Sequence, residues 1–73
     1  MTVKIYSKPA CMQCVATKRE MDKRGVVYEI IDLTIDESAL ERITSLGYRQ
    51  APVVEVEGDH WSGFRPDKIA AIA

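Results

Sequence analysis

Long apolar runs, a strong charge of either sign and a supply of histidine are all missing from this 73-residue chain. No stretch approaches the roughly 20 consecutive apolar residues that a membrane-spanning helix requires. The opening Met1-Thr2-Val3-Lys4-Ile5-Tyr6 also lacks the apolar core of a secretory signal, so a cytoplasmic protein without membrane association is expected. Ten basic residues nearly balance eleven acidic ones, for a net charge of −1. No global field therefore draws the chain to nucleic acid or to an anionic lipid surface. One His and two Cys fall short of the four or so ligands of a structural zinc site. A Gly-rich nucleotide-binding fingerprint is absent too, and no bound cofactor is expected. With only four Gly and three Pro, 47% hydrophobic and 29% charged residues, the composition is that of an ordinary globular protein. The length supports one core, and so a single domain over 1–73.

Against this plain background, Cys11-Met12-Gln13-Cys14 stands out, directly after the strand-like run Thr2 to Tyr6 and Lys8-Pro9. Thiols three positions apart at the opening of a helix share one face of its first turn. A disulfide can close there, and the unpaired N–H groups and dipole of the helix end favour a thiolate. A structural staple is a poor alternative, because a bridge over two intervening residues removes little unfolded-state entropy. The other competing readings are half of a metal site, completed by a second copy of the chain, and two incidental thiols. Cys11, at the helix end, is the expected nucleophile; Cys14, a turn deeper, is the expected resolving thiol. Lys8 and Lys18 either add positive potential or are solvated surface charges.

The rest of the chain alternates strand and helix signals. Val3 and Ile5 alternate with Lys4 and Tyr6 as a short strand. A helix is predicted from about Met12 to Arg24, with a thin buried stripe of Cys14, Thr17 and Met21, stopped by Gly25. Val27 to Leu33 carries apolar residues on both faces, predicting a strand covered on both sides. Thr34 with Glu37 fits a capping box, with Asp36 as the alternative cap. The helix that follows is predicted to bury Ala39, Leu40, Ile43 and Leu46, and to stop at Gly47. Val53 to Val56, the turn at Glu57-Gly58-Asp59 and His60 to Ser62 predict an antiparallel hairpin. Pro66 opens a last helix carrying Ile69, Ala70 and Ile72. The order is βαβαββα: an α/β domain with a four-stranded mixed sheet, its first two strands parallel, and helices on both faces.

That order, with a CxxC at the first strand–helix junction, resembles the thioredoxin fold in its glutaredoxin-sized form. Two motifs narrow the likeness. Cys11-Met12-Gln13-Cys14 resembles the C-[VM]-Q-C site of NrdH-redoxins, and Trp61-Ser62-Gly63-Phe64-Arg65-Pro66 resembles their WSGFRP segment. Gln50-Ala51-Pro52-Val53-Val54 fits the same family's cis-proline region. The resemblance runs from Val3 to about Ile69. It implies a thiol-disulfide oxidoreductase that takes electrons from thioredoxin reductase, so that NADPH is used indirectly, and passes them to the large subunit of class Ib ribonucleotide reductase. The protein is expected to work as a monomer. The departures are small: Met12 stands where Val is commoner, and the tail is short.

The resemblance also implies roles for particular residues. Pro52 would be cis and face the thiols, although only about 5–6% of X–Pro bonds are cis in general. Ala51 and Val53 beside it would then offer backbone groups to an extended partner segment. Met12 and Gln13, with Trp61, Ser62, Gly63, Phe64 and Arg65, would form the rest of the partner-binding surface. Trp61 is expected to pack with its indole N–H satisfied, and Phe64 to be more exposed. Conventional glutaredoxins carry a Gly-Gly turn and acidic residues before the last helix, where glutathione is held. Here that place reads Ser62-Gly63-Phe64-Arg65, which favours thioredoxin reductase as donor over glutathione, the enzymatic alternative. Asp67 is expected to cap the last helix. Tyr6, at the end of the first strand, flanks the site or simply packs. Tyr48-Arg49-Gln50 line a docking groove or form ordinary surface. His60 is read as a strand residue, not a ligand. The non-enzymatic alternative is a dimeric metal or iron–sulfur carrier.

Overall fold

The two ends of the first helix explain why a sequence with so thin an apolar stripe is helical at all. A computed structural model describes residues 2–72. In it β1 (Lys4–Ser7) leads into α1 (Met12–Lys23). Cys11 is the N-cap, in extended conformation at φ −112°, and its sulfur accepts the Cys14 N–H. At the other end Gly25 takes φ 71°, donates its N–H to Asp22 O at 3.1 Å, and lets Val26 N–H reach Met21 O at 2.9 Å. Those two bonds satisfy carbonyls that the helix end would otherwise orphan. The buried stripe is Cys14, Thr17 and Met21, as expected. Thr17 is tolerated there because its hydroxyl donates to Gln13 O at 2.8 Å.

The chain continues through β2 (Glu29–Asp32), α2 (Glu37–Ser45), β3 (Val53–Val56), β4 (Asp59–Ser62) and α3 (Pro66–Ile72). Strand order across the sheet is β2-β1-β3-β4. β1 and β2 run parallel, with Ile5 beside Ile30. β3 is antiparallel to both β1 and β4, pairing Val54 with Ile5 on one side and with Trp61 on the other. This is the expected βαβαββα order with a mixed four-stranded sheet.

Alternation along the strands divides the core into two. Val3, Ile5, Val54 and Trp61 face α1 and α3, where Met21 and Ile69 meet them. Tyr6 and Val53 face the other way, against Ala39 and Ile43 of α2. A single helix cannot cover four strands, so part of that second face stays polar. There Glu55 accepts from the Tyr6 hydroxyl at 2.8 Å and pairs with Arg42 at 2.5 Å. Lys4 and Glu29 line the same open cavity of about 380 Å³.

Three local expectations are corrected. Asp36, not Thr34, caps α2: its Oδ1 accepts the Ala39 N–H at 3.0 Å. Thr34 is instead engaged with Asp32, to which its N–H and hydroxyl both donate. Leu40 is 48% exposed, because α2 turns its Ala39 and Ile43 face to the sheet and Leu40 lies about 100° round the helix from Ala39. β2 is an edge strand whose Ile30 is 42% exposed, so its apolar residues do not mean burial on both sides.

Candidate active site

Helix α1 places its two cysteines at different depths. Cys14 is 1% exposed, while Cys11, as the N-cap outside the helix proper, is only half-buried. Their Cα atoms are 5.2 Å apart and they form a disulfide. The Cys14 N–H lies 3.1 Å from the Cys11 sulfur, so one of the helix's free donors is spent on that atom. Ala10, immediately before, adopts φ 57°. That left-handed conformation is unfavourable for a residue with a Cβ, and it is what swings the chain from β1 onto the cap. Nothing in the sequence marks Ala10 for this task, since Gly or Asn would be the usual signal.

A second segment closes on the cysteines from the loop before β3. The Ala51–Pro52 bond is cis, in agreement with the family resemblance. The Ala51 carbonyl oxygen lies 3.8 Å from the Cys11 sulfur. Pro52 is buried, and Val53 is fully buried as the first residue of β3. The third segment is the end of β4 and the loop after it. Gly63 N–H donates to Pro52 O at 2.9 Å, stitching this loop to the proline. Phe64 N–H donates to the Gln13 side-chain oxygen at 3.3 Å, stitching it to the CxxC. Gly63 has φ 82°, and a Cβ there would meet that same Gln13 oxygen at 3.2 Å. The backbone angle favours glycine, and a Cβ would also press the Gln13 carboxamide back slightly.

Residues 10–14, 51–53 and 63–64 therefore meet around one disulfide. The surface beside it is apolar: Met12 is 84% exposed, Val15 45% and Phe64 38%. Single exposed apolar residues are ordinary, but these three flank a reactive pair. Val15, one residue past Cys14, had no signal in the sequence because it falls off the buried stripe.

Other expected positions fall elsewhere. Trp61 is a core residue, 5% exposed, with Lys68 Nζ 5.8 Å from its ring centroid. Among the described residues its indole N–H has no hydrogen-bond partner, contrary to expectation. The cluster it shares with Ile5, Met21, Val54 and Ile69 offers that donor no side-chain acceptor. Ser62 is exposed and pairs with Val53 in the hairpin. Arg65 donates from Nε and Nη2 to the two carboxylate oxygens of Asp67, at 3.1 and 2.9 Å. Asp67 is thus held by Arg65, and that pairing depresses its carboxyl below the ordinary value. Tyr6 belongs to the Glu55 network under α2. Tyr48 shares a 2.6 Å hydrogen bond with His60 Nδ1, their rings edge to face. Among the described residues no group of three His, Cys, Asp or Glu side chains is placed to hold a metal ion.

Comparison with known proteins is consistent with this geometry. The Glutaredoxin family pattern matches residues 3–61. The glutaredoxin-like protein NrdH of Escherichia coli K12 is 47% identical over 70 residues, covering 94% of this chain and 85% of that one. The protein of the same name from Lactococcus lactis IL1403 is 32% identical over 71 residues, covering 97% and 99%. In three dimensions the chain matches the NrdH-redoxin of Escherichia coli with a TM-score of 0.97 at 42% identity, over 100% of this chain and 96% of the other. With a thioredoxin-like fold and a paired Cys11–Cys14, the chain belongs to the glutaredoxin family and resembles its NrdH members throughout.

Proposed function

We propose that this protein is a dithiol reductant of protein disulfides, fed by NADPH through thioredoxin reductase and serving class Ib ribonucleotide reductase. The observation that carries the reading is the unequal burial of two cysteines joined as a disulfide, Cys14 at 1% exposure and Cys11 half-buried at the rim. A partner sulfur can reach only the outer one.

In the reduced protein the Cys11 thiolate attacks one sulfur of the target disulfide. The new Cys11–target bond forms as the target S–S bond breaks, and the departing target thiolate takes up a proton. Cys14 then loses its proton and attacks the Cys11 sulfur, expelling the second target thiolate, which is protonated in turn. Two electrons have passed to the target, and the Cys11–Cys14 disulfide remains. The Cys14 N–H, 3.1 Å from the Cys11 sulfur, stabilises negative charge on that atom whenever it is the leaving or attacking thiolate. The Ala51 carbonyl beside Cys11 is a backbone acceptor for an extended partner segment. Regeneration runs the exchange backwards from the dithiol of the reductase.

The choice of donor and target rests on the likeness to NrdH proteins, and the Escherichia coli relative is described as thioredoxin-like in its activity profile. A monomer working without bound cofactor in a reducing cytoplasm fits this chemistry. The test supplies the protein with NADPH and either thioredoxin reductase or glutathione with its reductase, plus a disulfide substrate. NADPH consumption with the first system and little with the second supports the proposal. The reverse pattern assigns the protein to glutathione-dependent chemistry. Iron or zinc bound in stoichiometric amounts after anaerobic purification would instead make it a metal carrier.

A further inference from the structure

One of the two residues between the cysteines has an attachment that disulfide exchange does not require. Gln13 lies in the first turn of α1, with its backbone carbonyl held by the buried Thr17 hydroxyl at 2.8 Å. From that fixed base its side-chain oxygen accepts the Phe64 N–H at 3.3 Å, across 51 residues of sequence. The same oxygen sits 3.2 Å from where a Cβ of residue 63 would be, so the loop approaches Gln13 as closely as glycine allows. Gly63 is bonded in turn to Pro52 O at 2.9 Å. The carboxamide thus ties the loop after β4 to the CxxC, joining the backbone of Phe64 to the residue that follows Met12. Met12 and Phe64 are both exposed, at 84% and 38%.

We infer that Gln13 is a positioning residue for partner docking: its hydrogen bond to Phe64 holds Met12 and Phe64 as one preset apolar face beside the Cys11–Cys14 disulfide. The inference deepens the proposed function and rests on it for the identity of the partner. The physical reason is preorganisation. A loop already fixed in its bound arrangement loses less conformational freedom when a protein settles on it. Phe64 would otherwise need to be ordered at each encounter, since its side chain is only part-buried.

The test uses Gln13→Met, which keeps length and loses the acceptor, and Gln13→Glu, which keeps an acceptor oxygen. Amide hydrogen exchange at Phe64 should accelerate by about fivefold in Gln13→Met, the effect of losing one modest hydrogen bond, and stay close to wild type in Gln13→Glu. In the reductase-coupled assay Gln13→Met should raise KM by a similar factor while kcat moves less than twofold. Unaltered exchange at Phe64 overturns the inference, as does faster exchange with a wild-type KM. If thioredoxin reductase fails to reduce even the wild-type protein, the donor assignment falls instead. The positioning role is then judged with dithiothreitol as reductant and insulin as the disulfide protein. A higher insulin KM in Gln13→Met supports the role, and an equal one overturns it.

Discussion

The backbone N–H of Cys14 points at the sulfur of Cys11 from 3.1 Å, so the expected attacking residue is also the cap of the helix that carries the resolving one. This asymmetry makes the first prediction. Cys14→Ser should accumulate a stable mixed disulfide with an oxidised partner through Cys11, visible as an added mass that dithiothreitol removes. Cys11→Ser should not, because Cys14 is 1% exposed. Trapping through Cys14 alone would reverse the two roles.

Ala10 holds φ 57° at the entry to the cap. Ala10→Gly should relieve that conformation and raise stability by about 0.5–1 kcal/mol, the left-handed penalty less the extra freedom glycine gains when unfolded. Urea midpoints of the two proteins, at equal slope, measure it. A destabilised variant would show that the Cβ of Ala10 makes a packing contribution larger than its backbone cost.

The carboxyl of Glu55 is held below its ordinary value of 4.5, first by the Arg42 hydrogen bond, against a desolvation that works the other way. A depressed carboxylate contributes stability that is present above 4.5 and lost as pH falls through its lower folded value. Glu55→Gln should therefore be less stable than wild type at neutral pH, and the gap should close below pH 4.5. Thermal melts of both proteins across the acid range decide this, and a gap constant with pH removes the Arg42 pairing as its source.

Tyr6 behaves with the opposite sign. Burial first, then its hydrogen bond to Glu55, pushes its hydroxyl from 10.0 up to about 12. The associated stability is complete below pH 10.0 and disappears as pH rises through about 12. Tyr6→Phe lacks that group, so its melting temperature should decline less steeply over this alkaline interval. Parallel decline of both proteins would mean that other groups dominate; Tyr28, also raised, is common to both.

Trp61 tests the core beneath the site. Trp61→Ala should cost about 3–5 kcal/mol, as large-to-small changes in cores do. Because the indole N–H has no partner among the described residues, Trp61→Phe surrenders no hydrogen bond to them and should cost clearly less. Equal losses for the two variants would point to a polar contact of the indole in solution.

Much of the architecture was legible because it follows from local chemistry. Gly25 and Gly47 stop their helices by taking positive φ, at 71° and 93°, which other residues rarely adopt. The hairpin turn at Gly58, the Pro66 start of α3 and the Cys14-Thr17-Met21 stripe are likewise read from a few adjacent residues. The misreadings share a cause. Whether Ile30 and Leu40 are covered depends on β2 lying at an edge and on which face α2 turns to the sheet, which are properties of the assembled fold. Asp67 turned from a helix cap to the partner of Arg65, because a nearby guanidinium offers two charge-assisted bonds where a backbone N–H offers one.

By itself the order of residues determined the helix ends, the strand faces and the placing of two thiols on one turn, since each depends on neighbours within a few positions. Only the tertiary structure decided that Ala51 approaches Cys11, that Gln13 reaches Phe64, and that the Trp61 indole N–H finds no partner among the described residues. Those contacts join segments some 40 to 51 positions apart, or depend on every side chain around a buried atom. Pairings of that kind are set by how the sheet and helices pack, and local propensity carries no record of them.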